Sequence, residues 1–148
     1  MKKLVIMAAL AMAMVSASAV EVGIRATNSQ GAAGAALGLS IGEKFGSYGL
    51  EGAYDRTTRG AINIDRWSVT ASYDAAVIGG VTIAPKVGVA YINPTGFRNG
   101  TAMFVGVGAS YPLTKQVALT ADYQYQVGQD RVRAYNGNRF MIGAKYSF

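Results

Sequence analysis

The chain has 148 residues, 14 lysines and arginines against 8 aspartates and glutamates, and a formal net charge of +6, with no cysteine and no histidine. Disulfide stapling is therefore excluded, and the commonest general base and metal ligand are missing. The mild positive balance is not that of a nucleic-acid binder, and 19 glycines and 9 tyrosines with 3 prolines suit strands and aromatic girdles better than a helical domain.

Met1-Lys2-Lys3 precedes an apolar run from Leu4 to Val15 and the small residues Ser16-Ala17-Ser18-Ala19. This is the n-region, h-region and cleavage site of a secretory signal peptide. The run is shorter than the roughly 20 residues a spanning helix needs. Residues 1–19 are expected to be removed, leaving one domain over residues 20–148. Loss of Lys2 and Lys3 lowers the net charge by two.

From Val20 the dominant period is 2, which puts alternate residues on opposite faces of a strand. Val20–Thr27 places Val20, Val22, Ile24 and Ala26 on one side and Glu21, Gly23 and Arg25 on the other. Ala33–Glu43 is Gly/Ala-rich. Its Gly34, Gly38 and Gly42 fit a helix-packing motif, but the stretch lacks the length of a spanning helix, so a strand is expected with Leu37, Leu39 and Ile41 opposite the glycines. Near Tyr48, the set Tyr48, Leu50 and Tyr54 opposes Gly49, Glu51, Ala53 and Asp55. In the next strand Trp67, Val69, Ala71, Tyr73, Ala75 and Val77 oppose Arg66, Ser68, Thr70, Ser72 and Asp74. Strands from Val81, Thr101, Val117 and Arg139 repeat the alternation, the last one ending at Phe148.

Eight strands result, joined by short connections (Glu43–Ser47, Ile78–Gly80, Pro112–Gln116) on the side of the termini. Longer ones (Asn28–Ala32, Arg56–Ala61, Asn93–Gly100, Gly128–Gly137) lie on the other. Gly79-Gly80, Asn99-Gly100 and Asn136-Gly137 read as turn dipeptides. Pro85 cannot donate to a ladder, so a bulge is expected there, or pairing that begins after it.

The charges select the architecture. Glu21, Arg25, Glu51, Asp55, Arg66, Asp74, Lys86, Asp122, Arg139 and Lys145 all fall on the polar faces, five acidic and five basic, and none falls mid-way along an apolar face. A lipid-facing Arg or Lys at mid-bilayer costs roughly 2–4 kcal/mol. A soluble sandwich would give a similar count, but aromatics near strand ends (Tyr48, Trp67, Tyr91, Tyr111, Tyr146, Phe148) fit interfacial girdles. The expected fold is all-β, an eight-stranded antiparallel up-and-down transmembrane β-barrel with its charges in the lumen. A barrel of eight strands has room inside for side chains alone. A charge-balanced plug is expected, with Glu21 near Lys145 and Lys86 near Asp122.

The ending Gly143-Ala144-Lys145-Tyr146-Ser147-Phe148, with Phe140, Tyr146 and Phe148 on one face, resembles the signal that outer-membrane barrels present to their assembly machinery. Gly106 to Leu119 resembles the sixth strand, turn and seventh strand of the OmpA/opacity-type barrel family. Thr82–Tyr91 resembles its fifth, early proline included. The resemblance implies residence in the outer membrane of a Gram-negative cell after Sec export, with outer-membrane lipid, lipopolysaccharide and the barrel-assembly machinery as partners. A peptidoglycan-binding role is not implied, because no such segment follows Phe148. The short outer loops do not favour the large adhesive loops of opacity-type members.

No chemistry of a known type is expected. Barrel enzymes that remodel lipid A have a similar architecture and rely on a histidine, absent here. Glu51 and Asp55 share one strand face as an acid-pair hydrolase would require, but a charge-paired lumen accounts for them. Asn99-Gly100-Thr101 matches a glycosylation sequon and also a plain turn. No P-loop, zinc or calcium motif is present, and no cofactor, metal or nucleic acid is expected. Arg56, Arg59, Arg98, Arg131 and Arg133 crowd the outer loops against Asp65 and Asp130. They suit phosphate contact with lipopolysaccharide or a merely solvated rim. The expected role is a monomeric structural or surface-interaction protein that is not an enzyme. The alternatives are a narrow channel for ions or small solutes, an adhesive or lipopolysaccharide-contacting surface protein, and a soluble exported barrel with an apolar ligand.

Overall fold

A computed structural model describes residues 19–30, 34–59 and 62–148, with backbone alone at residues 58, 59, 130 and 131. The expected signal peptide lies outside the described residues except for Ala19. The strands are β1 (Val20–Ser29), β2 (Gly34–Phe45), β3 (Tyr48–Arg59), β4 (Ile62–Tyr73), β5 (Ala76–Ile78), β6 (Val81–Pro94), β7 (Gly100–Pro112), β8 (Val117–Gly128) and β9 (Gly137–Ser147). A 3-10 helix, Asp130–Tyr135, joins β8 to β9.

Every pairing is antiparallel, and β1 bonds to both β2 and β9, so the sheet closes on itself. Both β4 and β5 pair with β6 and together form one stave. The result is the expected eight-stave, up-and-down barrel. The Gly/Ala-rich second segment is a strand, in register with β1 from Val20↔Glu43 to Ser29↔Gly34. Apart from β5, the strands run from 10 to 14 residues, enough for the 9–11 residues a tilted membrane strand needs.

Burial follows the period. In β4, Ile64, Arg66, Ser68 and Thr70 are buried, while outward residues such as Leu37, Leu39, Met103, Val105 and Ile142 stay more than half exposed. A continuous apolar exterior of this kind is an aggregation hazard in water and the required surface in lipid. Two aromatic belts ring it. Tyr54 lies against Trp67, with ring centres 4.4 Å apart, and Trp67 pairs with Tyr91 towards one end. Tyr48 meets Tyr73, and Tyr146 meets Phe148, at the end that carries the termini. Hydroxyls at the far belt find polar partners, with Tyr54 donating to Asp65 and Tyr123 to Asn138, both at 2.6 Å.

Pro85 has the expected bulge, placed on the facing strand. Ser72 pairs with Lys86 and Ala76 with Ile83, so Tyr73, Asp74 and Ala75 face just Ala84 and Pro85. The extra residue absorbs the missing proline N–H. The Asp74 N–H donates to the Ser47 carbonyl at 2.7 Å, and the Ala75 N–H donates to the Ile83 carbonyl at 2.9 Å. Beyond the bulge the faces exchange. Val77, expected on the outward face, pairs with Thr82, and Ala76 and Ile78 take the parity of Ile83 and Val81.

The hairpin that follows β5 is as expected, with Gly79 at φ 59° and Gly80 at φ 82° forming a two-residue turn. Asn99-Gly100 is not the turn of its loop. The turn is at Thr95-Gly96, and Gly100 opens β7. Gly100 is small for another reason: a Cβ there would lie 2.9 Å from Cγ1 of Val132. Val132, in the 3-10 helix, is fully buried on Ile64, Ile92 and Ala102, with Tyr135 beside it. The fourth outer loop thus folds inward and caps the mouth opposite the termini.

Val132→Ala removes two buried carbons, each worth about 0.8 kcal/mol. It should lower the unfolding free energy by about 1.5 kcal/mol, read in urea titrations of vesicle-inserted protein by fluorescence of the single tryptophan, Trp67.

Candidate functional site

The polar residues inside the barrel form two clusters. Towards the capped mouth, Arg25 binds Asp55 through two parallel bonds, Nε to Oδ1 and Nη2 to Oδ2, each 2.7 Å. Arg66 Nη1 donates to Asp55 Oδ2 at 3.0 Å, and Arg139 Nη2 lies 3.5 Å from the same oxygen. Three guanidinium groups therefore share one buried carboxylate. Gln126 Oε1 accepts from Arg66 Nε at 3.1 Å and from Arg139 Nη1 at 3.4 Å, and its amide donates to the Tyr135 carbonyl at 3.0 Å, tying the plug to the cap. Arg66 also lies over the ring of Phe104, 5.0 Å from its centre. Burial raises the pKa of the Tyr135 phenol in the cap.

Nearer the termini, Lys145 on β9 contacts Glu51 on β3 and lies 3.6 Å from Glu21 on β1. Arg25 bridges to Glu51 at 3.2 Å and so joins the two levels. Lys86 on β6 pairs with Asp122 on β8.

The pairs Arg25–Asp55 and Lys86–Asp122 each cross a strand that carries glycine at the crossing. Arg25 sits opposite Gly38, which sits opposite Asp55. A Cβ at Gly38 would overlap the Asp55 carboxylate and the Tyr54 carbonyl. Gly108 on β7 likewise leaves room for Lys86 and Asp122, and Gly23 for Lys145 and Ser40. Gly88 accommodates the ring of Phe104. The inward glycines are the complement of the charges: they let side chains two strands apart meet in a narrow lumen.

Nine of the ten charges expected in the lumen lie in these clusters. Asp74 does not, because the bulge at Pro85 carries it to the rim, where it pairs with Lys44. Lys44 was absent from the expected set, although its parity in β2 matches that of Gly42 and Ser40. The Val132 cap was also unforeseen. Its signal is faint, a single valine among polar loop residues flanked by Gly128 and Gly100. Phe140, Tyr146 and Phe148 line the outward edge of β9 and its end. Of the outer arginines, Arg56, Arg98 and Arg133 are exposed, and Arg56 Nε lies 3.9 Å from Asp65. The side chains of Arg59 and Arg131 lie outside what is described.

No protein-family model matches the chain, and no curated protein matches it in sequence. Solved structures do match in fold. The N-terminal β-barrel domain of OprF from Pseudomonas aeruginosa is 19% identical with a TM-score of 0.75, over 88% of this chain and 97% of that one. Neisserial surface protein A is 16% identical with a TM-score of 0.69, over 88% and 96%. The outer membrane protein Ail of Yersinia pestis is 18% identical with a TM-score of 0.59, over 89% and 100%. Ail has also been solved in complex with the heparin analogue sucrose octasulfate. The chain thus has the fold of these small outer-membrane β-barrels.

Asp55→Asn leaves three buried guanidinium groups without their shared counter-charge. Breaking a buried pair costs about 3–5 kcal/mol, and the unfolding free energy in vesicles should fall by that amount. Glu21→Gln, at a half-buried position with Lys145 retaining Glu51, should cost less than about 1 kcal/mol in the same titration. Equal losses would show that the convergence on Asp55 carries no special weight.

Proposed function

We propose that the chain is an integral outer-membrane protein with a structural or surface-interaction role, reached by Sec export and signal-peptide cleavage, and that it neither conducts nor catalyses. The observation that carries this reading is the filled lumen inside an apolar, closed wall. Asp55, Arg66, Arg139 and Phe104 pack its outer half, and Val132 closes the mouth above them. The carboxylates a hydrolase would use are occupied by cations, Asp55 by three arginines and Glu51 by Arg25 and Lys145.

With the interior committed to itself, recognition falls to the outer rim. Arg56, Arg98 and Arg133, together with Arg59 and Arg131, are suited to bidentate contact with the phosphates of lipopolysaccharide. Ail, a barrel of similar fold solved with a sulfated sugar, supports polyanion contact as a use for such a rim. Phe140, Tyr146 and Phe148 form the edge offered to the barrel-assembly machinery, and the barrel works as a monomer.

Reconstitution into planar bilayers with lipopolysaccharide in one leaflet tests both parts. Steady single-channel conductance of the wild type would refute the plug. Replacing all five rim arginines by glutamine should weaken lipopolysaccharide binding by tenfold or more while the heat-modifiable gel shift of the folded barrel is retained. Unchanged binding would refute the rim.

A further inference from the structure

The connected ion network is not neutral. Arg25, Arg66, Arg139 and Lys145 are linked through Asp55, Glu51 and Glu21. Among the described residues this leaves one positive charge in excess, inside a wall that faces lipid. The excess has a location. Arg66 and Arg139 are 5% and 4% exposed. Arg66 Nη2 and Arg139 Nε are buried and make no hydrogen bond within the described residues, whereas Arg66 Nε and Nη1 and Arg139 Nη1 donate hydrogen bonds and Arg139 Nη2 lies in the ion pair with Asp55. A guanidinium nitrogen can donate but never accept, so what is unmet on both side chains is an acceptor.

Both residues line a small cavity of about 20 Å³, together with the hydroxyl-bearing Ser29 and Thr57 and with Ile64 and Ile92, on which Val132 packs. A single water needs ~10–15 Å³. The space thus suits one species of water size or slightly larger and is too small for phosphate, sulfate or a carboxylic acid. Asp55 also lines it, but both of its oxygens already accept from Arg25 and Arg66, and its charge is counted in the excess. Water would satisfy the donors and leave the buried charge unbalanced. A small monovalent anion meets both demands.

We infer that the lumen holds a halide site, occupied by chloride, between Arg66 and Arg139 under the Val132 cap. The ion completes the plug by neutralising it, and the cap keeps the site from water. The site is independent of any ligand at the outer rim.

A ligand bound by the folded state alone raises the unfolding midpoint in proportion to the logarithm of its concentration. The thermal midpoint of the wild-type barrel in detergent should therefore climb with chloride, and equally with bromide. It should stay flat in gluconate at matched ionic strength. Crystals soaked in bromide should show an anomalous peak within hydrogen-bond reach of Arg66 and Arg139. Arg139→Gln removes one donor and the surplus charge together, and should abolish the halide dependence while the folded gel shift remains. A wild-type midpoint indifferent to halide, or a bromide map without density at the site, would overturn the inference, as would an Arg139→Gln barrel with undiminished halide dependence. The bromide map needs no variant, so a folding failure of Arg139→Gln leaves the question decidable.

Discussion

The convergence of Arg25, Arg66 and Arg139 on the carboxylate of Asp55 is the interaction on which the interior depends. Each guanidinium comes from a different strand, β1, β4 and β9, and the carboxylate comes from β3. A closed barrel holds its strands by backbone ladders, which are indifferent to which residues face inward. The cluster, with the pairs Lys145–Glu51 and Lys86–Asp122, couples strands that are not neighbours. Its attraction is large because the wall excludes water, and the same exclusion makes any unpaired member costly. Stability and filling of the lumen are therefore one problem with one solution.

That solution explains the glycines. In a soluble sheet, inward glycines would weaken packing. Here Gly38, Gly108 and Gly23 lie where a side chain from one strand must pass over the next to reach its partner. At the capped end the logic is repeated with apolar atoms, where Gly100 and Gly128 leave space for Val132. Small residues and long ones thus occur as complementary sets, and neither set has meaning alone.

Much of this was legible in the sequence because a membrane barrel makes unusually strict demands. The period-2 alternation from Val117 to Gly128, and the confinement of charge to one parity, leave little freedom in fold or in facing. The pairs Glu21–Lys145 and Lys86–Asp122 follow from depth along the barrel, and the distances in the structure, 3.6 Å for the first, agree with that estimate. What was not legible depends on the count of residues between fixed points. The bulge opposite Pro85 adds one residue to the stave, and that addition exchanged the faces of Val77 and Ile78 and removed Asp74 from the lumen. Lys44 falls by sequence within the Glu43–Ser47 connection, whereas β2 continues to Phe45. Val132 carries no periodic signal, since its place is set by a six-residue 3-10 helix rather than by a strand. The Arg25–Asp55–Arg66–Arg139 convergence lies between these cases. Membership was readable from parity, but the sharing of one carboxylate is a three-dimensional fact.

The bulge also shows where such a wall can tolerate irregularity. Within lipid every backbone N–H requires a partner, so a proline in a closed barrel is admissible only if the ladder around it is rebuilt. Here the repair lies next to the short Gly79-Gly80 turn, at the end that carries the termini. The rebuilt bonds run to Ser47 and Ile83, and Asp74 gains Lys44 at the rim. Among the described residues the opposite end shows no such repair and carries instead the inward-folded cap and the exposed arginines. The two rims are therefore chemically unlike. One is a compact set of turns closed by backbone bonds, and the other is an apolar lid ringed by cations. Because the plug fixes the interior and the lipid fixes the wall, that second rim is the surface on which a change of residue can alter recognition without first altering the fold.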